Sequence, residues 1–155
     1  MKYDGIIKEI LYYGEKNKDG KWIIPIGVDW DYTLTKCSSW ENGTMDVNYD
    51  ALKIMKRWAK EYNVGWILDT MRPDSLLKEP LKILSENNVI MYGIRRNPTQ
   101  DKNDPKIFSI MTIDDKCLGI PLNMADGCDR PHVDWNGVEK IAEPILSYIN
   151  DKINS

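Results

Sequence analysis

Uninterrupted apolar runs punctuate this chain, and each of three ends in an acidic residue. Ile23-Ile24-Pro25-Ile26-Gly27-Val28 leads into Asp29, Val64-Gly65-Trp66-Ile67-Leu68 into Asp69, and Ile110-Met111-Thr112-Ile113 into Asp114. Continuous rather than alternating apolarity is what strands covered on both faces require. Val89-Ile90-Met91-Tyr92 supplies a further strand. Between the runs the period changes to three and four. Over Tyr49 to Tyr62, Leu52, Met55, Trp58, Ala59 and Tyr62 predict a helix capped by Asn48. Residues 73 to 87 predict a second, on Leu76, Leu77, Leu81 and Leu84, with Pro73 near the first turn and Pro80 kinking the interior. Val138, Ile141, Ile145, Ile149 and Ile153 predict one face of a closing helix interrupted by Pro144.

Strands alternating with helices imply a parallel sheet with right-handed crossovers and helices on both faces. The expected fold is thus α/β, a Rossmann-like three-layer α/β/α sandwich. Pro25 is compatible with a central strand if pairing starts at Pro25 or Ile26, because proline brings no ladder donor. Residues 1 to 21 form an N-terminal extension, read as a short helix with Ile6, Ile7, Ile10 and Leu11 on one side and then a polar turn, Asn17-Lys18-Asp19-Gly20. Gly93 to Asp104 reads as the longest polar loop.

Composition narrows the picture. A chain of 155 residues, 42% apolar, fits one domain spanning 1 to 155. A net charge of −3 argues against general nucleic-acid binding, which calls for a basic face. Cys37, Cys117 and Cys128 fall in no paired motif, and an odd count argues against a complete disulfide framework, so reduced thiols are expected. Neither a signal-peptide core nor some twenty consecutive apolar residues is present, which leads to the expectation of a cytoplasmic protein without membrane contact.

In an open parallel sheet, ligands bind outside the carboxyl ends of the strands. The first run delivers Asp29 and Asp31, the second Asp69, Thr70 and then Arg72, and the last Asp114 and Asp115, with Lys106 eight residues before Asp114. Carboxylates and free strand-end carbonyls can converge on a hard cation such as Mg²⁺. A metal, an ammonium and a hydroxyl together stabilise the charge that in-line displacement places on phosphoryl oxygens. The grouping is that of a phosphoryl-transfer site.

These residues resemble, in order, the four motifs of the haloacid-dehalogenase-like phosphohydrolases. Asp29-Trp30-Asp31-Tyr32-Thr33-Leu34-Thr35 matches the first, Thr70 after Trp66-Ile67-Leu68-Asp69 the second, Lys106 the third and Asp114-Asp115 the fourth. Pro105-Lys106-Ile107-Phe108 followed by Ile113-Asp114-Asp115 is similar to small capless bacterial and phage members. The resemblance, over residues 26 to 120, implies a Mg²⁺-dependent phosphatase that hydrolyses a phosphomonoester through an aspartyl-phosphate. Asp29 would be the nucleophile, and Asp31 the acid and then the base. Thr70, Arg72 and Lys106 would contact the substrate. Mg²⁺ would be held by Asp29, the Asp31 carbonyl and Asp114, with Asp115 a further candidate. The gap from Lys36 to Asn48 is too short for a cap domain, so the site is expected to be open to a small or macromolecular phosphoester, and a homo-oligomer is compatible with it. Nucleotidase or phosphomutase action, and a non-catalytic scaffold with the same fold, are the alternatives.

Some residues keep two readings. Tyr32 stands where the family commonly has Gly, and packing against a neighbouring loop is preferred over stacking on a substrate ring. Arg95 and Arg96 are read as solvated loop charges ahead of a guanidinium fork for a second phosphate or a carboxylate. His132, the single histidine, is read as structural.

Overall fold

The apolar runs become the middle of a parallel sheet. The computed structural model describes residues 2–155, which begin with α1 (Asp4–Tyr13), β1 (Ile24–Val28), a hairpin of β2 (Thr35–Ser38) and β3 (Met45–Val47), and α2 (Tyr49–Tyr62). There follow β4 (Val64–Leu68), a 3-10 turn at Asp74–Leu76, α3 (Lys78–Glu86), β5 (Met91–Ile94), β6 (Met111–Ile113), the short pair β7 (Leu122–Asn123) and β8 (His132–Val133), and α4 (Trp135–Asn154). The four-stranded sheet runs β5-β4-β1-β6, all parallel. Every residue of β1 and β4 is buried, as their unbroken apolarity requires, while the edge strands β5 and β6 are partly open. The third strand starts two residues later than its sequence suggests: Val89 is buried in the turn before it and Ile90 is 86% exposed.

Pro25 lies in the central strand without loss. Ile24 and Val28 bond toward β4, so the Pro25 side of the chain faces β6, whose pairing begins only at Ile26 opposite Met111. The missing donor falls before β6 starts, and the Pro25 carbonyl still accepts from Ile110 N–H at 2.9 Å. Gly65, opposite Pro25, is also required. A Cβ there would come within 2.4 Å of Ile23 Cγ2 and 3.0 Å of the Tyr92 ring.

One core joins Ile24, Ile26, Val28, Val64, Trp66 and Leu68 to the inner faces of the helices. Trp58 of α2 stacks on Trp66 of β4 at 5.8 Å between ring centroids, and Trp135 of α4 lies 6.4 and 6.2 Å from the two. Arg57 of α2 reaches Glu139 of α4 at 2.6 Å and also pairs with Glu143. The steps β1-α2-β4-α3-β5 all move one way across the sheet, so right-handed connections put α2 and α3 on the same face. The sequence pattern predicts helices on both faces, yet the return connection from β5 to β6, residues 95–110, contains no helix. Asn97 fastens it, donating to the Phe108 carbonyl at 2.9 Å.

Three details differ from the sequence expectations. Pro80 falls in the first turn of α3, where its absent N–H has no intrahelical role, so the predicted interior kink is replaced by a helix start. The buried stripe of α4 is Trp135, Val138, Ala142, Leu146 and Ile149, whereas Ile141 is 59% exposed. Val138 and Ile149 of the expected face are buried and Ile145 and Ile153 pack on the core; the helix packs on α2 and continues through Pro144. In α1, Ile10 is fully buried but Leu11 is 45% exposed.

The expectation of three reduced thiols is also corrected. Cys37 on β2 is disulfide-bonded to Cys128 in the loop between β7 and β8, and Cys117 is left free. Ninety-one residues separate the partners, so no local motif announces the pair. Among the described residues no helix is long and apolar enough to cross a membrane.

Candidate active site

The parallel ladder runs one residue past the strand ends and fixes the acidic rim. Asp29 N–H donates to the Ile113 carbonyl at 3.0 Å, and Asp69 N–H to the Val28 carbonyl at 2.8 Å. The chain then folds over Trp30, whose carbonyl accepts from the N–H groups of Thr33, Leu34 and Thr35 at 3.2, 2.8 and 3.2 Å. This tight loop places Tyr32 at φ 57°, a left-handed conformation costing a bulky residue about 1–3 kcal/mol. Its surroundings offset that cost. Tyr32 N–H donates to Thr35 Oγ1 at 2.9 Å, its hydroxyl to the Ser38 carbonyl at 3.0 Å, and its carbonyl accepts from Val133 N–H at 2.9 Å. The Arg130 guanidinium covers the ring at 4.1 Å. Tyr32 is thus packed, the preferred of its two sequence readings.

Asp29, Asp114 and Asp115 each offer a carboxylate oxygen within 4.8 Å of the others. They open on a cavity of about 580 Å³ that Asp31, Asp69, Thr70, Met71 and Trp40 also line. Six aspartates but only Lys116 and Arg130 contribute charge to its wall. Burial, reinforced by Asp114, Asp115 and Asp31, pushes the Asp29 carboxyl up to about 7, and burial with Asp115 beside it raises Asp114 as well. Arg130 pairs with Asp115, which leaves Asp29 and Asp114 without an ion-pair partner among the described residues. An all-oxygen donor set gathered this closely is of the kind that suits a hard cation such as Mg²⁺.

Asp31 lies apart from that trio. Arg72 grips it with Nε on Oδ2 at 2.9 Å and Nη2 on Oδ1 at 2.8 Å, Trp40 Nε1 donates to Oδ2 at 3.0 Å, and the Ser38 hydroxyl donates to Oδ1. Although burial opposes it, this clamp holds the Asp31 carboxyl below the usual carboxylate range. The Asp31 side chain therefore does not join the candidate metal ligands. Arg72, expected to contact substrate, is 4% exposed and committed to Asp31 and the Leu76 carbonyl. Thr70 does line the cavity; its Oγ1 accepts from Arg72 N–H at 3.1 Å and so shapes the clamp. Arg95 pairs with Asp74 and donates to the Arg72 carbonyl, bracing the same segment, while Arg96 is exposed.

Lys106 is the expected site residue that the fold carries away. It is exposed and lines a separate groove with Glu9, Tyr13, Gln100 and Phe108. The reason is geometric: β6 spans only Met111–Ile113, so a residue before it lies at the starting edge of the sheet and Asp114 at the finishing edge. Arg130 was legible only as a charge in a polar stretch, yet it pairs with the nearly buried Asp115. Thr33 is equally local and equally silent in sequence: its Oγ1 accepts from Asp115 N–H at 3.1 Å, and its carbonyl from Trp135 Nε1 at 2.7 Å.

No protein-family model and no curated protein matches the chain. A solved structure of a conserved protein from Bacteroides thetaiotaomicron is similar, with a TM-score of 0.59 at 20% identity, covering 79% of this chain and 92% of that one. At that identity the likeness bears on the fold alone. The chain has an α/β fold built on a four-stranded parallel sheet, with its acidic cavity at the carboxyl ends of β1, β4 and β6.

Proposed function

We propose that the protein is a Mg²⁺-dependent phosphomonoesterase of the haloacid-dehalogenase-like, capless type. The observation that carries this reading is the convergence of Asp29, Asp114 and Asp115 within 4.8 Å at the ends of two adjacent parallel strands. Bound there, Mg²⁺ supplies charge neutralisation to a phosphoryl group. Asp29 attacks phosphorus through a carboxylate oxygen, the bond from phosphorus to the leaving oxygen breaks, and an aspartyl-phosphate remains. A water oxygen then attacks phosphorus, releasing inorganic phosphate and the Asp29 carboxylate.

Asp31 acts on the protons of these steps. Its clamp favours the ionised form, which equips it to take a proton from the hydrolytic water. Donating to a leaving group requires that proton to be loaded against the hold of Arg72. Thr70 contacts a phosphoryl oxygen, and the cations of the cavity wall, Lys116 and Arg130, take the charge-balancing part first assigned to Lys106. The β2–β3 hairpin stands where larger relatives of this type insert a cap, which leaves the substrate entrance wide.

The test is phosphate release from an aryl phosphate and a panel of phosphorylated metabolites, with and without Mg²⁺. Metal-dependent turnover that disappears in Asp29→Asn supports the reading, and an Asp114→Ala protein should need a higher Mg²⁺ concentration. Absence of turnover across the whole panel would sink it in favour of a scaffold.

A further inference from the structure

The acidic cavity has an apolar side. Trp40, in the turn of the β2–β3 hairpin, lines it and is 46% exposed, and Met71, in the segment after β4, adds further open apolar surface. Tyr32, the other aromatic residue of the lining, is buried and covered by Arg130, so it offers no comparable face.

The Trp40 indole is held in place. Its Nε1 donates to Asp31 Oδ2 at 3.0 Å, and the Arg72 guanidinium lies 5.7 Å from its ring centroid. Arg72 is itself buried and fixed on Asp31, so the ring has two anchors while nearly half of the residue stays open. An aromatic surface ordered before anything binds spares a ligand the entropy of ordering it.

The anchor also fixes what passes over the ring. Asp31 is the residue assigned to the leaving oxygen, and a general acid works within about 2.6–3.2 Å of the oxygen it protonates. Because Trp40 is hydrogen-bonded to the same carboxylate, the part of the leaving alcohol next to the ester oxygen has to lie against the indole. Charge sets a second condition. Asp69 and Asp129 also line the cavity and make no ion pair among the described residues, whereas Arg72 and Arg130 are already paired with Asp31 and Asp115. A further anionic group on the alcohol would meet these carboxylates with the exposed Lys116 alone to offset them.

Resting on the phosphomonoesterase reading above, we propose that the substrate is the monophosphate of an aromatic or heteroaromatic alcohol without a further anionic group, its ring stacked on Trp40. Trp40 then sets specificity, while Asp29 and Asp31 carry the chemistry.

Benzyl, cyclohexylmethyl and ethyl phosphate test this, because their leaving alcohols are of similar acidity and differ mainly in the ring. With Mg²⁺, kcat/KM should be at least about fivefold higher for benzyl phosphate than for the other two, the scale of one stack on an aromatic side chain. 4-Carboxybenzyl phosphate should fall below benzyl phosphate. Two variants separate the ring from the hydrogen bond. Trp40→Phe keeps a ring without the N–H donor and should keep the preference, whereas Trp40→Gln keeps a donor without the ring and should bring benzyl and ethyl phosphate level. Ratios taken within one preparation do not depend on the fraction folded. Calorimetric binding to Asp29→Asn, which needs no turnover, should rank the esters in the same order. Ethyl or 4-carboxybenzyl phosphate used as well as benzyl phosphate, or a preference unchanged in Trp40→Gln, overturns the proposal and leaves the phosphatase standing. Ranked binding without turnover supports the Trp40 surface and sinks the phosphatase, and neither turnover nor binding of any ester sinks both.

Discussion

Asp29 concentrates the residue-scale conflict in this protein. Its folded-state pKa near 7 lies above its ordinary value of 3.8, so the stability it contributes is complete below about pH 4 and is lost as the pH rises through about 7. In EDTA, the unfolding free energy should therefore fall between pH 5 and pH 8 by about 1–3 kcal/mol after allowance for screening, and the melting temperature with it. Mg²⁺ should restore more stability at pH 8 than at pH 5, and Asp29→Asn should flatten the pH dependence in EDTA. Thermal melts at the two pH values check all three, and an identical fall in the mutant would place the conflict elsewhere. Arg72 has the opposite role. Removing it by Arg72→Ala strands the half-buried Asp31 carboxylate, with an expected loss of about 2–4 kcal/mol, read from chemical denaturation. Arg72→Lys keeps the charge but not the two-pronged grip, and should recover only part of that loss.

At the scale of elements, periodicity located the helices better than it oriented them. The bounds of Tyr49–Tyr62 were legible to the residue and Leu52, Met55 and Trp58 are buried as expected beside a fully buried strand, but Ala59 is exposed and Ala51 and Ile54 are buried as well. In α4 the expected stripe holds at Val138 and Ile149, with Ile145 and Ile153 packed on the core, but Ile141 is exposed and Trp135, Ala142 and Leu146 complete the inner face. The two faces make different predictions. Leu146→Ala removes a fully buried side chain and should cost about 2–5 kcal/mol, whereas Ile141→Ala, at an exposed position, should change stability by about 0.5 kcal/mol or less. Equal effects in urea denaturation would contradict this assignment of the inner and outer faces of α4. The strand ends were the most legible part of the site: an acidic residue after each buried run has to emerge at the carboxyl rim, whatever surrounds it.

Across the whole molecule, the Cys37–Cys128 bond ties the β2–β3 hairpin to the loop that carries Arg130, one wall of the acidic cavity to another. It closes a long loop, so Cys37→Ser, or reduction of the bond, should lower stability by about 2–4 kcal/mol. Denaturation with and without a dithiol reductant measures this, and peptide mapping without reduction should recover the Cys37–Cys128 peptide. A protein whose stability ignores the reductant would show that the link contributes nothing.

The sequence by itself determined the parallel α/β arrangement and the acidic rim, since both follow from local chemistry: unbroken apolar runs demand burial, and a charged residue after each must leave the sheet. Tertiary structure decided what lies far apart in the chain. It exiled Lys106 to the opposite edge, turned Asp31 toward Arg72, brought Arg130 onto Asp115 and joined Cys37 to Cys128. Those outcomes depend on strand length, crossover direction and packing angle, which no window of neighbouring residues encodes.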